Sequence, residues 1–443
     1  MTEEFGPDEA TVRLTEREAR ANLLAVLQLT GSGRLRCSEK TRLPGAATVS
    51  AVARVLTVGD FYAREPIASI AWPLLIQAGG LAELAGGRLR LTQRGTSALV
   101  KPPEDTIRQL WRAWVSRAVI DEFGRVDRIK GQRVTNVLTS AKTRRQMVAA
   151  ALATCQIDEW VEMDDLFTRM RRGDMSPTVA RSERALWKLY IADPHYGSLG
   201  YDGFGGWTIL EGRYTLAVLF EYAATLGLID LTYTDPAGAR DDFRGNWGTD
   251  DLDYLSRYDG LRALRLTALG GYALGISDRY KPPAVEKPVR DLLKVLPNLD
   301  IVATGPLPPA DRLTLDAYAR QTSDHVWTLR SETILTAVEA GRTGEQLIRF
   351  LAGRATHELP TSVTRLVADV TARSRQLRDL GAVRLIECAD TALTTLIARD
   401  RRLRNHCSPV GERHLAVPLE REAGFRTDLR RLGYVLPQNL GGD

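Results

Sequence analysis

Residues 79–100 read GGLAELAGGRLRLTQRGTSALV, and the fold turns on what they form. Gly86-Gly87 stands between two short runs that can pair, and adjacent glycines supply the positive φ that a tight hairpin turn requires. The stretch predicts a hairpin closing at Gly86-Gly87 and then a terminal helix. Leu84, Leu89 and Leu91 pack inward in this reading, while Arg88, Arg90 and Arg94 decorate the hairpin.

Working outward, residues 15–29 carry apolar side chains at helical spacing, which predicts an amphipathic helix ending near Gly31 and Gly33. RLRCS reads as a short strand. Ser38 stands where an N-cap would, Pro44 breaks a short helix after it, and AATVSAVARVL at 46–56 has the spacing of a third helix. IASIAWPLLIQA at 67–78 predicts another. The order of helix, short strand, helices, hairpin and terminal helix resembles the winged-helix family. That resemblance implies a helix in the DNA major groove and a basic wing on the backbone.

The same order recurs later in the chain. A helix at 214–225, Gly227-Leu228, a strand to Tyr233, a return strand at 261–267 and ALGGYALG repeat the "helix, Gly-Leu, strand, turn, strand, Leu-Thr, Gly, Ala-Leu" of the first copy. Its turn carries a long insertion, DPAGARDDFRGNWGTDDLDYLSRYDG. Four segments follow: a winged-helix-like domain over 1–103, a helical bridge with a basic run over 104–185, a second winged-helix-like domain over 186–280, and a C-terminal α/β domain with a tail over 281–443. The expected class is α+β, predominantly helical: tandem winged-helix-like domains followed by a small α/β module.

Composition sets the outer bounds. The chain of 443 residues is 44% hydrophobic, enough for proper cores in several domains. No apolar run is long enough for a membrane span, and MTEEFGPDEA is acidic where a signal peptide is basic and then apolar, so a cytoplasmic protein without membrane contact is expected. Cys37, Cys155, Cys388 and Cys407 are scattered without a C-x-x-C pair, which argues against a disulfide framework or zinc knuckle. A net charge of +5 is mild for this size, so nucleic-acid contact has to come from local patches.

The C-terminal third contains LPNLDIVATGPLP, VWTLRSETILTAVEAGRTGEQLIRFLAGRATHELPTSV and VRLIECAD. Over roughly 290–395 these resemble the helicase-associated domain of XPB/Ssl2-type helicases and of bacterial proteins that carry it without a motor. The resemblance implies a small α/β module that docks a helicase or another copy of itself. The chain has no Gly-x-x-x-x-Gly-Lys-Ser/Thr and no Asp-Glu-x-His or Asp-Glu-Ala-Asp, so the phosphate grip and the Mg²⁺ carboxylate of an ATPase are both missing. Its layout is similar to an accessory subunit: a non-enzymatic adaptor, needing no cofactor or metal, that binds duplex or single-stranded DNA and docks a helicase or nuclease in repair, transcription or phage defence.

Three sets of residues are candidates for that contact. Arg34, Arg36, Lys40 and Arg42 flank the recognition helix of the first copy, and Arg88, Arg90 and Arg94 lie on its wing. The bridge adds Arg125, Arg128, Lys130, Arg133, Lys142, Arg144 and Arg145, whose bland reading is a solvated helix face. Asp235, Asp241, Asp242, Asp250, Asp251 and Asp253 make the second copy a poor backbone binder, because like charge repels.

IADPHYGSLGYDGFGGWTIL, residues 191–210, is rich in glycines and aromatics. It ends in Gly206-Trp207 rather than Gly-Lys-Ser/Thr, so it is not a P-loop. Its glycines are expected to permit turns at positive φ and its aromatics to pack. The sharper alternative is a platform on which Tyr196, Tyr201, Phe204 and Trp207 stack bases. Two competing functions stay open: a protein-only scaffold, and an enzyme of unrecognised type using Asp193 and His195. His406, Cys407 and His414 lack zinc-ligand spacing and read as an exposed loop. Glu286-Lys287, the pair a nuclease would need at a strand end, stands in a proline-flanked linker.

Overall fold

The computed structural model describes residues 10–117, 119–282, 291–376 and 381–437; Glu286-Lys287 lies outside them. The class is mixed α and β, with helix outweighing strand and the described strands gathered in small antiparallel sheets. Residues up to Thr371 form one compact unit and those from Ala372 a second.

The first unit opens with β1 (Thr11–Arg13), α1 (Thr15–Gly31), α2 (Ala46–Ala53) and α3 (Ala68–Ala78). No helix follows Ser38, contrary to expectation. Its hydroxyl accepts from Thr41 N–H and its N–H donates to Leu43 C=O, which spends the local donors in a turn that Arg42 enters at φ 63°. α3 is apolar on every side and buried accordingly. A buried helix start leaves N–H groups that must be satisfied, and Asp60 does this from outside the helix. Its two carboxylate oxygens accept from the N–H groups of Ile67, Ala68 and Ser69 and from the Ser69 hydroxyl, at 2.5–3.1 Å.

β2 (Ala82–Ala85) and β3 (Arg88–Leu91) pair across Gly86-Gly87, both at positive φ, and α4 (Gln93–Ala98) follows, as the opening stretch predicted. The second copy forms as well: β7 (Ile229–Tyr233) and β8 (Leu261–Leu266) pair, and α10 (Ala268–Leu274) follows. Between the copies lie α5 (Pro103–Ser116), β4 (Ile129–Lys130), α6 (Ala141–Ala153), β5 (Trp160–Glu162), α7 (Met163–Arg172), α8 (Glu183–Leu186) and β6 (Tyr190–Ile191). The predicted helix before β7 is α9 (Arg213–Ala217), flanked by the π-helical turns Thr208–Gly212 and Val218–Ala223.

The repeat holds to the level of individual hydrogen bonds. The Thr92 hydroxyl donates to Gly80 C=O and accepts from Gly95 N–H; the Thr267 hydroxyl donates to Gly227 C=O and accepts from Gly270 N–H. Gly80 and Gly227 both turn at positive φ. Gly95 and Gly270 allow each terminal helix to close on its strand: a Cβ at Gly95 would sit 2.0 Å from Leu81 C=O, and one at Gly270 2.1 Å from Leu228 C=O.

The copies are not separately cored. One apolar cluster runs from Ala19 to Ala273, so the expected boundaries at 103 and 185 separate no cores. β1 reaches across to pair with β7, and β5 pairs with β8, giving the sheet β1-β7-β8-β5. Trp111 stacks on Trp114, and Trp114 on Tyr222, with ring centroids 5.2 and 4.6 Å apart, so α5 and the helix before β7 share one aromatic spine. The bridge is also less helical than expected. Residues 126–140 hold only the two-residue β4, because Gly131 at φ 84° and Asn136 at φ 62° break any helical run.

β9 (Leu293–Val295), β10 (Asp300–Ala303), α11 (Pro309–Tyr318), β11 (Ala319–Ser323) and β12 (Val326–Leu329) form the sheet β11-β12-β10-β9. β9 and β11 were not foreseen. α12 (Ser331–Glu339), α13 (Gly344–Arg354) and α14 (Thr361–Ser374) complete this region, whose core includes Ile301, Trp327, Leu347 and Val367. α1 packs along α11, where Gln28 donates to the Thr314 hydroxyl at 3.1 Å.

The second unit holds β13 (Val383–Glu387), α15 (Thr391–Arg399), β14 (Ser408–Val410), β15 (His414–Pro418) and α16 (Glu422–Arg431), with strand order β13-β15-β14. The expected tail is thus a sheet and helix around Leu403, Leu415, Val417 and Phe425. Cys407 belongs to that core rather than to an exposed loop, and burial pushes its thiol up to about 11. His406 Nε2 lies 3.4 Å from an Asp428 carboxylate oxygen.

Candidate nucleic-acid interface

The basic face of the first copy is built by strand alternation. Residues 34–37 join the hairpin edge: Leu89 N–H donates to Leu35 C=O, Cys37 N–H to Gly87 C=O, and Arg36 lies opposite Arg88. Leu35, Cys37 and Leu89 point into the core, so Arg34, Arg36, Arg88 and Arg90 are exposed on the other face. Thr48 of α2 fixes this edge, its hydroxyl accepting from Arg36 N–H at 2.7 Å and donating to Arg36 C=O at 2.8 Å.

Two guanidinium-bearing residues directly opposite each other repel, and such a pair is retained at a cost of roughly 0.2–1 kcal/mol. Among the described residues no carboxylate lies within ion-pair distance of Arg34, Arg36, Lys40, Arg42, Arg88 or Arg90. Glu39 faces the turn but accepts from Gly87 N–H at 2.7 Å. Lys40 and Arg42 sit in the adjoining turn; Arg94 instead lies back toward Gly80. α3, the helix before the hairpin, is buried and has no face to present. α2 keeps Ala46, Ala47, Ser50 and the following Arg54 exposed.

A groove of about 750 Å³ adjoins this face, lined by Leu43, Ile120, Gln132 and Tyr190 and by the charged residues Asp121, Arg125, Asp127, Lys130 and Arg133. A second hollow, of about 480 Å³, runs beside it past Arg42, Glu83 and Val119. The carboxylates of the larger groove are already neutralised: Asp121 pairs with Arg144, and Asp127 with Arg257. Arg125 turns inward to the buried Glu221, 3.1 Å away. Lys130 and Arg133 are exposed, with no carboxylate in ion-pair distance among the described residues. Gly131 between them is required, since a Cβ there would meet Lys188 C=O at 1.8 Å.

The bridge arginines divide sharply by burial, which corrects their assignment to a surface patch. Arg144 is 1% exposed and Arg145 fully buried. Arg145 pairs with Glu122, donates to the carbonyls of Trp114, Arg117 and Ile120, and lies over the Trp114 ring. Arg144 lies over the Tyr214 ring. Held this way, neither guanidinium reaches a ligand in solvent. Arg128 is exposed, 5.6 Å from the Tyr254 ring centroid, and Lys142 is exposed on α6 away from its buried neighbours. Adjacency in the sequence groups Lys142, Arg144 and Arg145, but on a helix adjacent residues point in different directions.

The Gly/aromatic loop is a folded turn. Of its glycines only Gly203 has positive φ; Gly197 and Gly205 serve close approach instead, a Cβ on Gly197 falling 1.8 Å from Ile191 C=O. Trp207 packs edge-on to Phe167 and donates to the Ser176 hydroxyl, and Phe204 is half-buried against Tyr201, so neither offers a free face. Tyr196 and Tyr201 are exposed, paired with Trp247 and Trp187. Trp187 and Trp247 were not among the expected stacking residues, because each lies outside the 191–210 stretch and joins it only in the folded chain. Asp193 accepts from the backbone N–H groups of Tyr196 and His195, which holds its carboxyl below the usual range. That is turn construction, and His195 makes no side-chain bond to it.

Residues 293–408 match the family model described as the helicase conserved C-terminal domain. The match begins at β9 and ends at β14, about a quarter of the chain, and supports a helicase-associated domain in the C-terminal third. No curated protein matches the chain.

Proposed function

We propose that the chain is a non-enzymatic DNA-binding adaptor whose first hairpin and adjoining groove hold the phosphate backbone, and whose helicase-associated region docks a helicase or nuclease. The observation that carries this reading is the opposed Arg36 and Arg88, exposed with Arg34 and Arg90 and without carboxylate partners among the described residues. A row of unneutralised guanidinium groups matches a polyanion, because each phosphate contact releases condensed counterions. Lys130 and Arg133 add two exposed cations on the lining of the adjoining groove. Backbone binding of this kind does not select sequence.

The finer readings, tandem winged-helix architecture and an XPB/Ssl2-type docking module, rest on the repeated hairpin-and-helix order and on the resemblance of the C-terminal segments. The buried α3 favours a wing-led contact over major-groove reading. A protein-only scaffold is the second reading, favoured by the exposed Tyr196–Trp247 pair close to Asp250, Asp251 and Asp253. Fluorescence anisotropy on labelled duplex and single-stranded DNA over a salt series separates the two. Binding that weakens steeply with salt, and is reduced in Lys130→Ala/Arg133→Ala, is the adaptor result; no binding at low salt leaves the scaffold.

A further inference from the structure

A second basic cavity lies between α1, the segment after α4, α11 and α13. It has a volume of about 260 Å³ and two of the segments around it carry cations: Lys101 after α4, and Arg342, Arg349 and Arg354 before and along α13. Among the described residues that line it the one carboxylate, Asp311, is occupied by Arg354, whose Nε lies 2.8 Å from it. Lys101, Arg342 and Arg349 have no carboxylate within ion-pair distance among the described residues.

Arg342 is the group that needs explanation. It is partly buried, its Nη1 donating to Gln28 Oε1 at 2.6 Å and its guanidinium 5.7 Å from the Tyr318 ring centroid. Both partners are uncharged. Burial without a counter-charge lowers the basicity of this arginine, the direction expected when desolvation of a cation is not offset. Gln28 is in turn held by Thr314, so the guanidinium is oriented before any ligand arrives. Arg349 and Arg354 lie five apart on α13, beside Gln346, whose carbonyl oxygen is bonded to Thr343 N–H.

We infer that this cavity is an anion site for a phosphate ester, with Arg342 as the fixed donor and Arg349 and Lys101 closing over the oxygens. Planar guanidinium forks match phosphate oxygens in pairs, and a half-desolvated fork binds them more strongly than one in water. The volume accommodates a phosphorylated group with part of a sugar rather than a whole duplex. A free nucleotide and a backbone phosphate of a bound strand share this chemistry. Since α1 and the segment after α4 line one side and residues of the helicase-associated region the other, an occupant bridges both. The site is independent of the hairpin contact.

Isothermal titration of the full chain with inorganic pyrophosphate tests it, beside Arg349→Ala and Arg342→Gln; thermal melts confirm that each variant is folded. Saturable binding, weakened about tenfold or more in Arg349→Ala, as expected for removal of one charge-assisted bond, supports the site. Adenosine diphosphate competing for pyrophosphate then identifies a free nucleotide. Loss of labelled-oligonucleotide affinity in Arg349→Ala without such competition identifies a backbone phosphate. Failure of Arg342→Gln to fold leaves the exposed Arg349 as the deciding position. No saturation by pyrophosphate together with unchanged oligonucleotide affinity, or pyrophosphate binding that both variants retain in full, overturns the inference.

Discussion

The two hairpins are the same local solution placed in opposite surroundings. Each has a turning glycine, a threonine that caps the terminal helix, and a glycine that lets the helix close on the strand. In the first copy, β2 and β3 carry Arg88 and Arg90 into solvent. In the second, β7 and β8 are enclosed by β1 and β5, and β7 is buried at four of its five positions. The charges differ in the same way. Asp230 binds Thr15 N–H and Arg265, and Asp259 and Asp242 bind Arg213, so these ionic groups of the second copy are spent internally. A repeated local geometry therefore does not fix its surroundings; the neighbours of the hairpin decide whether it is surface or core.

The largest expected effect lies in the second copy. Asp259→Ala leaves the buried Arg213 guanidinium with only the partly exposed Asp242 as counter-charge, and removing one partner of a buried pair costs about 3–5 kcal/mol. Chemical denaturation should show it as a shift in midpoint; a change below about 1 kcal/mol would mean that Arg213 is satisfied without Asp259. Arg145→Ala should be comparably damaging, since it leaves Glu122 buried and unpaired.

Next come the equivalent glycines. Gly95→Ala and Gly270→Ala each drive a Cβ into a carbonyl, at a cost of about 1–3 kcal/mol for an overpacked site. Gly270→Ala should lower the global melting transition, being inside the sheet core, while Gly95→Ala should loosen mainly the hairpin and raise hydrogen exchange there. Equal global losses would show that the first copy is as central to stability as the second.

Smaller still is the effect of relieving Arg36 and Arg88. Arg36→Ala should leave stability unchanged or raise it by a few tenths of a kcal/mol, because it removes cross-strand repulsion; a loss above about 1 kcal/mol would reveal a structural role for the side chain. The least perturbing probe is Cys37, buried beneath the same edge with its thiol pushed up to about 11 by burial. At neutral pH its alkylation should be slow in the native chain and rapid after unfolding; fast native alkylation, located by peptide mass spectrometry, would mean that the edge opens.

Much of this was legible in the sequence. Gly-Gly turns, Leu-Thr helix starts and the repeat itself announce both hairpins, because backbone geometry demands those residues. What periodicity could not show is partnership across distance. Nothing local marks that Thr11–Arg13 will pair with β7, or that Arg144 and Arg145 face the core while Lys142 faces water. β9 spans only three residues and β11 follows α11 without a break, so neither is marked by periodicity. The groove was invisible for the same reason: Leu43, Lys130 and Tyr190 converge only in the folded chain.

The most direct test sets the exposed hairpin against the enclosed one in the same binding measurement. The dependence of duplex-DNA affinity on salt should become shallower by about 2 units of slope in Arg36→Ala/Arg88→Ala, one for each phosphate that is no longer neutralised, and stay unchanged in Arg262→Ala on the second hairpin. An unchanged slope in the first variant, or an equally shallow slope in the second, would contradict the assignment of backbone contact to the first copy.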